Sequence, residues 1–237
     1  MARFYTVDPK YIVYILTKVK ITGRNAGRVK TQTETVNMTQ QFLDNLKEVQ
    51  QRHVAALSAT LLMESNAIKD GSDLFCSTAK NGSTVFFCGN GGSAADAQHF
   101  AAELVGRYVK ERGALKGHAL NTDSSALTAL ANDYGAETVF SRQIEAFGSE
   151  GDLLVALSTS GKSKNVLAAL KAARDKGMST LVLTGKLGAE LTDKNNVCIA
   201  VPSTETARIQ EVHEFILHFF CERLDNLYME KNYDQKT

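Results

Sequence analysis

His99 and Glu103 stand four residues apart in "GGSAADAQHFAAELVGRY", so on a helix they share one face about 6 Å apart along the axis. An imidazole and a carboxylate so placed can pass a proton between them or hold a metal ion. A plain surface pair is the simpler reading. Against it, Ala94, Ala95, Ala97, Ala101 and Ala102 surround the two residues and leave room for a ligand. Just upstream lies Gly89-Asn90-Gly91-Gly92-Ser93. Glycines let a backbone approach an oxyanion, and the free N–H groups of a helix start favour negative charge. The pair lies two turns or more beyond this loop, within expected reach of a chain-like anion held there.

A second anion-binding candidate is "STSGKS", residues 158–163, followed by Asn165. Ser158, Thr159, Ser160 and Ser163 put four hydroxyls around one glycine at a helix start. Hydroxyls and backbone amides can satisfy phosphate oxygens without a fixed cation. Helix capping alone needs only one serine. The GxxxxGK[ST] spacing of a P-loop is absent.

"ARIQEVHEFILHFF" supplies Gln210, His213 and His218. A histidine on a mostly apolar helix is more often a satisfied core residue than a ligand. Gln210 and His213 are one turn apart and form the pair that local geometry favours. Gln210 and His218 are separated by roughly 12 Å of helix axis and could barely close on one ion.

The elements that must carry these residues follow from the apolar pattern. From Met38, three- and four-residue spacing predicts two helices, broken near Asp70-Gly71 and ending at Asn81-Gly82. "STVFFCG", "GHALN", "DLLVALS", "STLVLTG" and "NNVCIAVP" read as strands. Helices are expected over 92–108, in two segments between Ser124 and Phe147 divided at 133–135, over Lys164–Lys176, and in a long final run from about Glu205 to Lys231. Continuously apolar strands alternating with helices imply an α/β fold: a doubly wound, five-stranded parallel sheet flanked by helices, behind an N-terminal helical pair. Ligands of such sheets sit beyond the carboxyl ends of the strands, where both loops fall.

Over 237 residues with a formal charge of +1, no overall basic field favours nucleic acid. No apolar run approaches the roughly 18 residues of a membrane span. Four scattered cysteines without CxxC pairing suit reduced thiols of a cytosolic protein. Residues 1–37 carry seven basic and two acidic side chains, which sets them apart as a poorly ordered extension, with the domain proper over 38–237.

"CGNGGSAADAQHFAAELVGRY", "LTALANDYG", "LSTSGKSKNV", "LTGK" and "ARIQEVHEFILH" together resemble the sugar-isomerase (SIS) family, and within it the phosphoheptose isomerases. The likeness covers Met38 to about Tyr228, with the motifs in matching order. It implies conversion of D-sedoheptulose 7-phosphate to D-glycero-D-manno-heptose 7-phosphate through an enediol, towards ADP-heptose for lipopolysaccharide core. It also implies a cytoplasmic homotetramer with zinc sites at subunit interfaces. The family's zinc ligands fall on His99, Glu103, Gln210 and His218, and its acid–base pair on Glu103 and His218. Its substrate contacts fall on Asn90, Gly91, Gly92, Ser93, Glu103, Asn132, Asp133, Ser158, Thr159, Ser160, Ser163 and Gln210. If Gln210 and His218 share one site, their separation makes His218 arrive from a neighbouring subunit.

Two other readings compete. "ALNTDSSALTALAND" is reminiscent of a non-catalytic relative of the same fold that binds the replication initiator DnaA, a role that needs no Glu103 and His218 constellation. Gly89, Gly91 and Ala94 match the GxGxxA of nicotinamide-binding proteins. The nearest acidic partner, Asp123, lies about 30 residues on instead of the usual ~20, and this reading ranks last.

Overall fold

Five apolar segments pair as one parallel sheet in the order β2-β1-β3-β4-β5. The computed structural model describes residues 29–191 and 196–234. The strands are β1 (Val85–Gly89), β2 (Gly117–Ala119), β3 (Leu153–Ser158), β4 (Ser179–Gly185) and β5 (Asn196–Val201). The helices are α1 (Val29–Met63), α2 (Ser65–Lys80), α3 (Gly92–Val105), α4 (Ser124–Tyr134), α5 (Ser141–Phe147), α6 (Lys164–Asp175) and α7 (Thr206–Asp234). β1 and β3 are in register from Val85 opposite Leu153 to Gly89 opposite Leu157, so the loops that follow them start side by side.

The period of two along β1 sends Phe87 to one face of the sheet and Phe86 and Cys88 to the other. Phe87 joins Phe75 of α2, Phe100 and Leu104 of α3, and Val212, Ile216 and Phe220 of α7. Phe86 joins Ile144 of α5 and Val166, Ala169 and Leu170 of α6. Apolar faces on both sides of the sheet explain why the strands read as unbroken hydrophobic runs.

Contacts divide the chain into two units, Met1–Glu48 and Val49–Thr237. Of the expected extension over 1–37, residues 1–28 lie outside the described residues, and the boundary expected at Met38 falls inside α1. The helix break expected at Asp70-Gly71 is instead at Glu64. Gly71 stays in mid-helix for a packing reason: a Cβ there would lie 3.0 Å from Leu181 Cδ1 and 3.4 Å from Ile199 Cδ1. The glycine marks a close helix–sheet approach, and its spacing imitates a turn. The helix expected over 92–108 stops at Val105.

α3 and α7 run side by side in the same direction. Gln210 lies over Gly92, Glu214 and His218 lie by His99, and Asp225 lies beyond the end of α3. A buried ion pair fixes that end. Arg112 Nε donates to Asp225 Oδ1 at 3.1 Å, and both side chains are 2% exposed. Asp225 Oδ2 accepts from the backbone N–H groups of Val109 and Lys110 at 2.9 and 2.8 Å. The Arg112 guanidinium donates to the carbonyls of Glu103 and Leu104, at 2.5 and 2.9 Å, which the helix end leaves without intrahelical partners.

Removing one member of such a pair leaves a buried charge without its partner. Asp225→Ala is therefore expected to lower the free energy of unfolding by about 3–5 kcal/mol. Urea denaturation checks this, and a loss below about 1 kcal/mol would mean that the pair does not fasten α3 to α7.

Candidate active site

The glycine loop between β1 and α3 is held from three directions. Asn121, just past β2, donates from Nδ2 to the Gly89 carbonyl at 3.1 Å. Asn90 exchanges two hydrogen bonds with Asn165 at the start of α6, each 2.9 Å. From α7, the Gln210 carboxamide lies so close over Gly92 that a Cβ at position 92 would run into it. This is the close approach that glycine alone permits.

The hydroxyl loop sits beside it. Ser158 Oγ donates to Ser163 Oγ at 3.2 Å, and Ser160 Oγ accepts from the Lys162 N–H at 3.2 Å. Thr184 Oγ1 bonds the Ser158 carbonyl at 2.8 Å, and the Gly185 N–H bonds the Thr159 carbonyl at 3.2 Å. Ser158 and Ser93 are buried, while Thr159 and Ser163 are half-buried. Asn132 and Asp133 lie exposed at the end of α4, with Asn132 Nδ2 donating to Asp133 Oδ1 at 2.8 Å.

A second cluster lies further along α3 and α7. His99 Nε2 is 3.2 Å from Glu103 Oε1, and its Nδ1 is 3.8 Å from Glu214 Oε1. The His99 and His218 rings are 5.0 Å apart, with Phe100 stacked under His99 at 4.7 Å and Tyr108 tilted against His218 at 5.6 Å. Ligand atoms of His99, Glu214 and His218 all lie within 4.8 Å of one another, close enough for one metal ion. Burial, with a smaller contribution from the neighbouring His99, holds His218 below the ordinary histidine range despite Glu214 and Glu103, which favours a neutral imidazole at neutral pH.

Between loop and cluster stands Asp96. Burial first, and then the Glu214 charge, raise its carboxyl to about 6, against the facing Gln210 amide and His99. Its Oδ2 has no hydrogen-bond partner among the described residues.

The structure thus groups His99, Glu103 and His218 but seats Gln210 at the far end of the same face, over Gly92. The chain's own His218 reaches its own His99, so these two need no neighbouring subunit to meet. His213, the histidine nearest Gln210, points into the core: it is fully buried, with Nε2 3.1 Å from the Thr184 carbonyl. Asp96 and Glu214 escaped the sequence reading. The signal was a stripe, Gly92, Asp96, His99 and Glu103 on α3 against Gln210, Glu214 and His218 on α7, at three- and four-residue steps.

Glu103 follows Gly92 by eleven residues of unbroken helix, about 16 Å along the axis. An extended seven-carbon chain with a terminal phosphate spans about 10 Å at the ~1.2 Å per bond of an extended backbone. Along the axis alone the loop and Glu103 are further apart than such a chain is long, and the Glu103 side chain, leaning back towards the helix start, shortens the gap.

The parallel sheet, its glycine and hydroxyl loops and the facing helices are those of a sugar-isomerase domain, and the SIS domain family model matches residues 43–185. Phosphoheptose isomerase 1 of Campylobacter jejuni is 53% identical over 175 residues, which are 74% of this chain and 94% of that protein. A phosphoheptose isomerase of Helicobacter pylori is 47% identical over 192 residues, 81% of this chain and all of that protein. The solved phosphoheptose isomerase GmhA from Neisseria gonorrhoeae superposes with a TM-score of 0.72 at 39% identity, covering 78% of this chain and 99% of its own. The chain belongs to the phosphoheptose isomerase family.

His213 generates a pH prediction. Burial pushes it from 6.5 down to about 4, so the fold refuses a proton that the unfolded chain accepts. Its contribution to stability is complete above about 6.5 and is lost as pH falls towards 4. Between pH 7 and 5 that amounts to about 2 kcal/mol. His213→Gln removes this part of the acid sensitivity. Denaturant midpoints at the two pH values check it, and equal pH slopes for wild type and variant would show that His213 is not a source of the loss.

Proposed function

We propose that the protein converts D-sedoheptulose 7-phosphate to D-glycero-D-manno-heptose 7-phosphate, the step that commits a heptose to ADP-heptose and lipopolysaccharide core. The observation that carries this reading is the pairing of a hydroxyl-lined anion seat with a separate carboxylate–imidazole cluster. Ser158, Thr159, Ser160 and Ser163, with the amides of the Asn90–Ser93 loop, grip the phosphate end. Asn132, Asp133 and Gln210 complete the substrate contacts implied by the family motifs.

Aldose–ketose interconversion needs a base at carbon and a proton carrier at the oxygens. Glu103 takes a proton from C1, the C1–H electrons form the C1=C2 bond, and the C2 carbonyl oxygen gains the negative charge. Neutral His218 carries the proton between the O1 and O2 oxygens of the enediol. Return of the proton to C2 gives the aldose. His99, 3.2 Å from Glu103 Oε1 and packed against the His218 ring, sits between the two.

Zinc suits the two imidazoles of His99 and His218 and the Glu214 carboxylate, whose ligand atoms lie within the span of one ion. His99, Glu103, Gln210 and His218 would hold it on the family pattern, with Glu214 at hand. Bound zinc supplies a Lewis acid that polarises the carbonyl oxygen.

The roughly 16 Å of helix axis between the glycine loop and Glu103 suits the homotetramer implied by the family likeness, with the loops of one copy serving the cluster of another. Val105 of α3 and Phe215 and Phe219 of α7 are exposed apolar side chains that contacts between copies would cover. No described helix is long and apolar enough to cross a membrane, and the four cysteines are buried free thiols, in keeping with a cytoplasmic enzyme.

Two outcomes follow. Glu103→Gln and Ser158→Ala/Ser160→Ala should each lose at least 100-fold in kcat/KM, and co-expressing them should restore about a quarter of the activity through mixed sites. No recovery in mixed oligomers would place loop and base in one copy. Equilibrium dialysis should find zinc bound to the wild type and weakened at least tenfold in His99→Asn and His218→Asn; equal retention by all three proteins would remove the cluster as the metal site.

A further inference from the structure

The strand order places the crevice of this doubly wound sheet between β1 and β3, where the chain winds away in both directions. Two side chains bridge it. Asn90 follows β1, and Asn165 stands in the first turn of α6 after the hydroxyl loop. Asn90 Nδ2 donates to Asn165 Oδ1 at 2.9 Å, and Asn165 Nδ2 donates to Asn90 Oδ1 at 2.9 Å. Asn165 Oδ1 also accepts from the Val166 N–H at 2.9 Å, which ties the amide to its own helix start.

We propose that Asn165 is a positioning residue: through this reciprocal amide pair it locks the glycine loop onto the hydroxyl loop, so that the two act as one seat. The inference rests on the isomerase reading above and deepens it at the substrate-binding end. Asn165 matches no substrate-contact position of the family motif, whereas Asn90 does, so Asn165 acts through Asn90.

The chemistry of the pair is restrictive. A side-chain amide offers one donor group and one acceptor, and only a partner with both can answer both at once. The exchange fixes which way each amide faces. Both lone pairs of Asn165 Oδ1 are then taken, by Asn90 and Val166, while Asn90 keeps a second N–H and a second lone pair as an edge for the hydroxyls of an open-chain sugar phosphate. Asn121 braces the same loop from the β2 side through the Gly89 carbonyl. With Asn121 on one side and Asn165 on the other, the loop has its final shape before substrate arrives, which reduces the ordering cost of binding.

The seat lies remote from Glu103, so the pair governs binding of the whole chain and not the proton transfer. The test is steady-state kinetics on sedoheptulose 7-phosphate, with calorimetric binding of the same compound, for wild type, Asn165→Ala, Asn165→Asp, Asn90→Ala and the Asn90→Ala/Asn165→Ala double variant. Asn165→Ala should raise KM and Kd about tenfold, as expected for two lost hydrogen bonds, with kcat within about twofold. Asn165→Asp keeps the shape, loses the donor and should bind at least as poorly. The double variant should bind no worse than Asn90→Ala alone, because one residue works through the other.

A KM within twofold of wild type for Asn165→Ala, or single effects that multiply in the double variant, would overturn the proposal. A fall in kcat at unchanged KM would overturn it too. A wild type that binds the heptulose phosphate without turning it over counts against the isomerase reading, while the Kd series still decides for or against Asn165. A wild type that does not bind it sinks both.

Discussion

The arrangement of the whole site depends on two helices lying side by side in the same direction, α3 beginning at the glycine loop and α7 closing the sheet. Apolar packing of Phe100 and Leu104 against Val212, Ile216 and Phe220 holds them together but tolerates sliding. The buried Arg112–Asp225 pair does not. It joins a carboxylate on α7 to the last carbonyls of α3 through directional bonds in a dry environment, where a shift of one turn would strand both charges. That register brings Gln210 over Gly92 at one end and His218 against His99 in the middle. Every functional side chain on either helix inherits its neighbour from it.

Much of this was legible in the sequence, for physical reasons that differ by element. The five strands stood out because a sheet covered on both faces demands uninterrupted apolar runs, as in Leu153–Ser158 and Ser179–Gly185. The loops stood out because anion seats need glycine and hydroxyl at a strand-to-helix turn. Gly71 misled because a glycine required for close packing has the same one-letter signal as a glycine required for a turn. Glu214 and Asp96 stayed hidden because a stripe on one helix has no meaning until the facing helix and its direction are known.

The histidines of α7 show how far a local rule carries. One turn from Gln210, His213 is the better partner by spacing, yet its ring is spent on the Thr184 carbonyl at the end of β4. His218 is five residues further on, on the face turned to α3, with the rings of Phe100, Tyr108 and His99 around it. Burial there pushes its imidazole below the ordinary histidine range, which favours the neutral form.

The same helix that supplies the acid–base cluster also carries it away from the loops. A crossover helix must run back along the sheet, so anything it bears beyond its second turn recedes from the strand ends where ligands bind. The Asn90–Ser93 loop stands at the carboxyl edge of the sheet, whereas Glu103 stands in the last turn of α3, beside His99. The partly exposed aromatics of α7, Phe215 and Phe219, instead line a groove with Leu61 of α1 and Ser65 and Ile68 of α2, away from the strand ends.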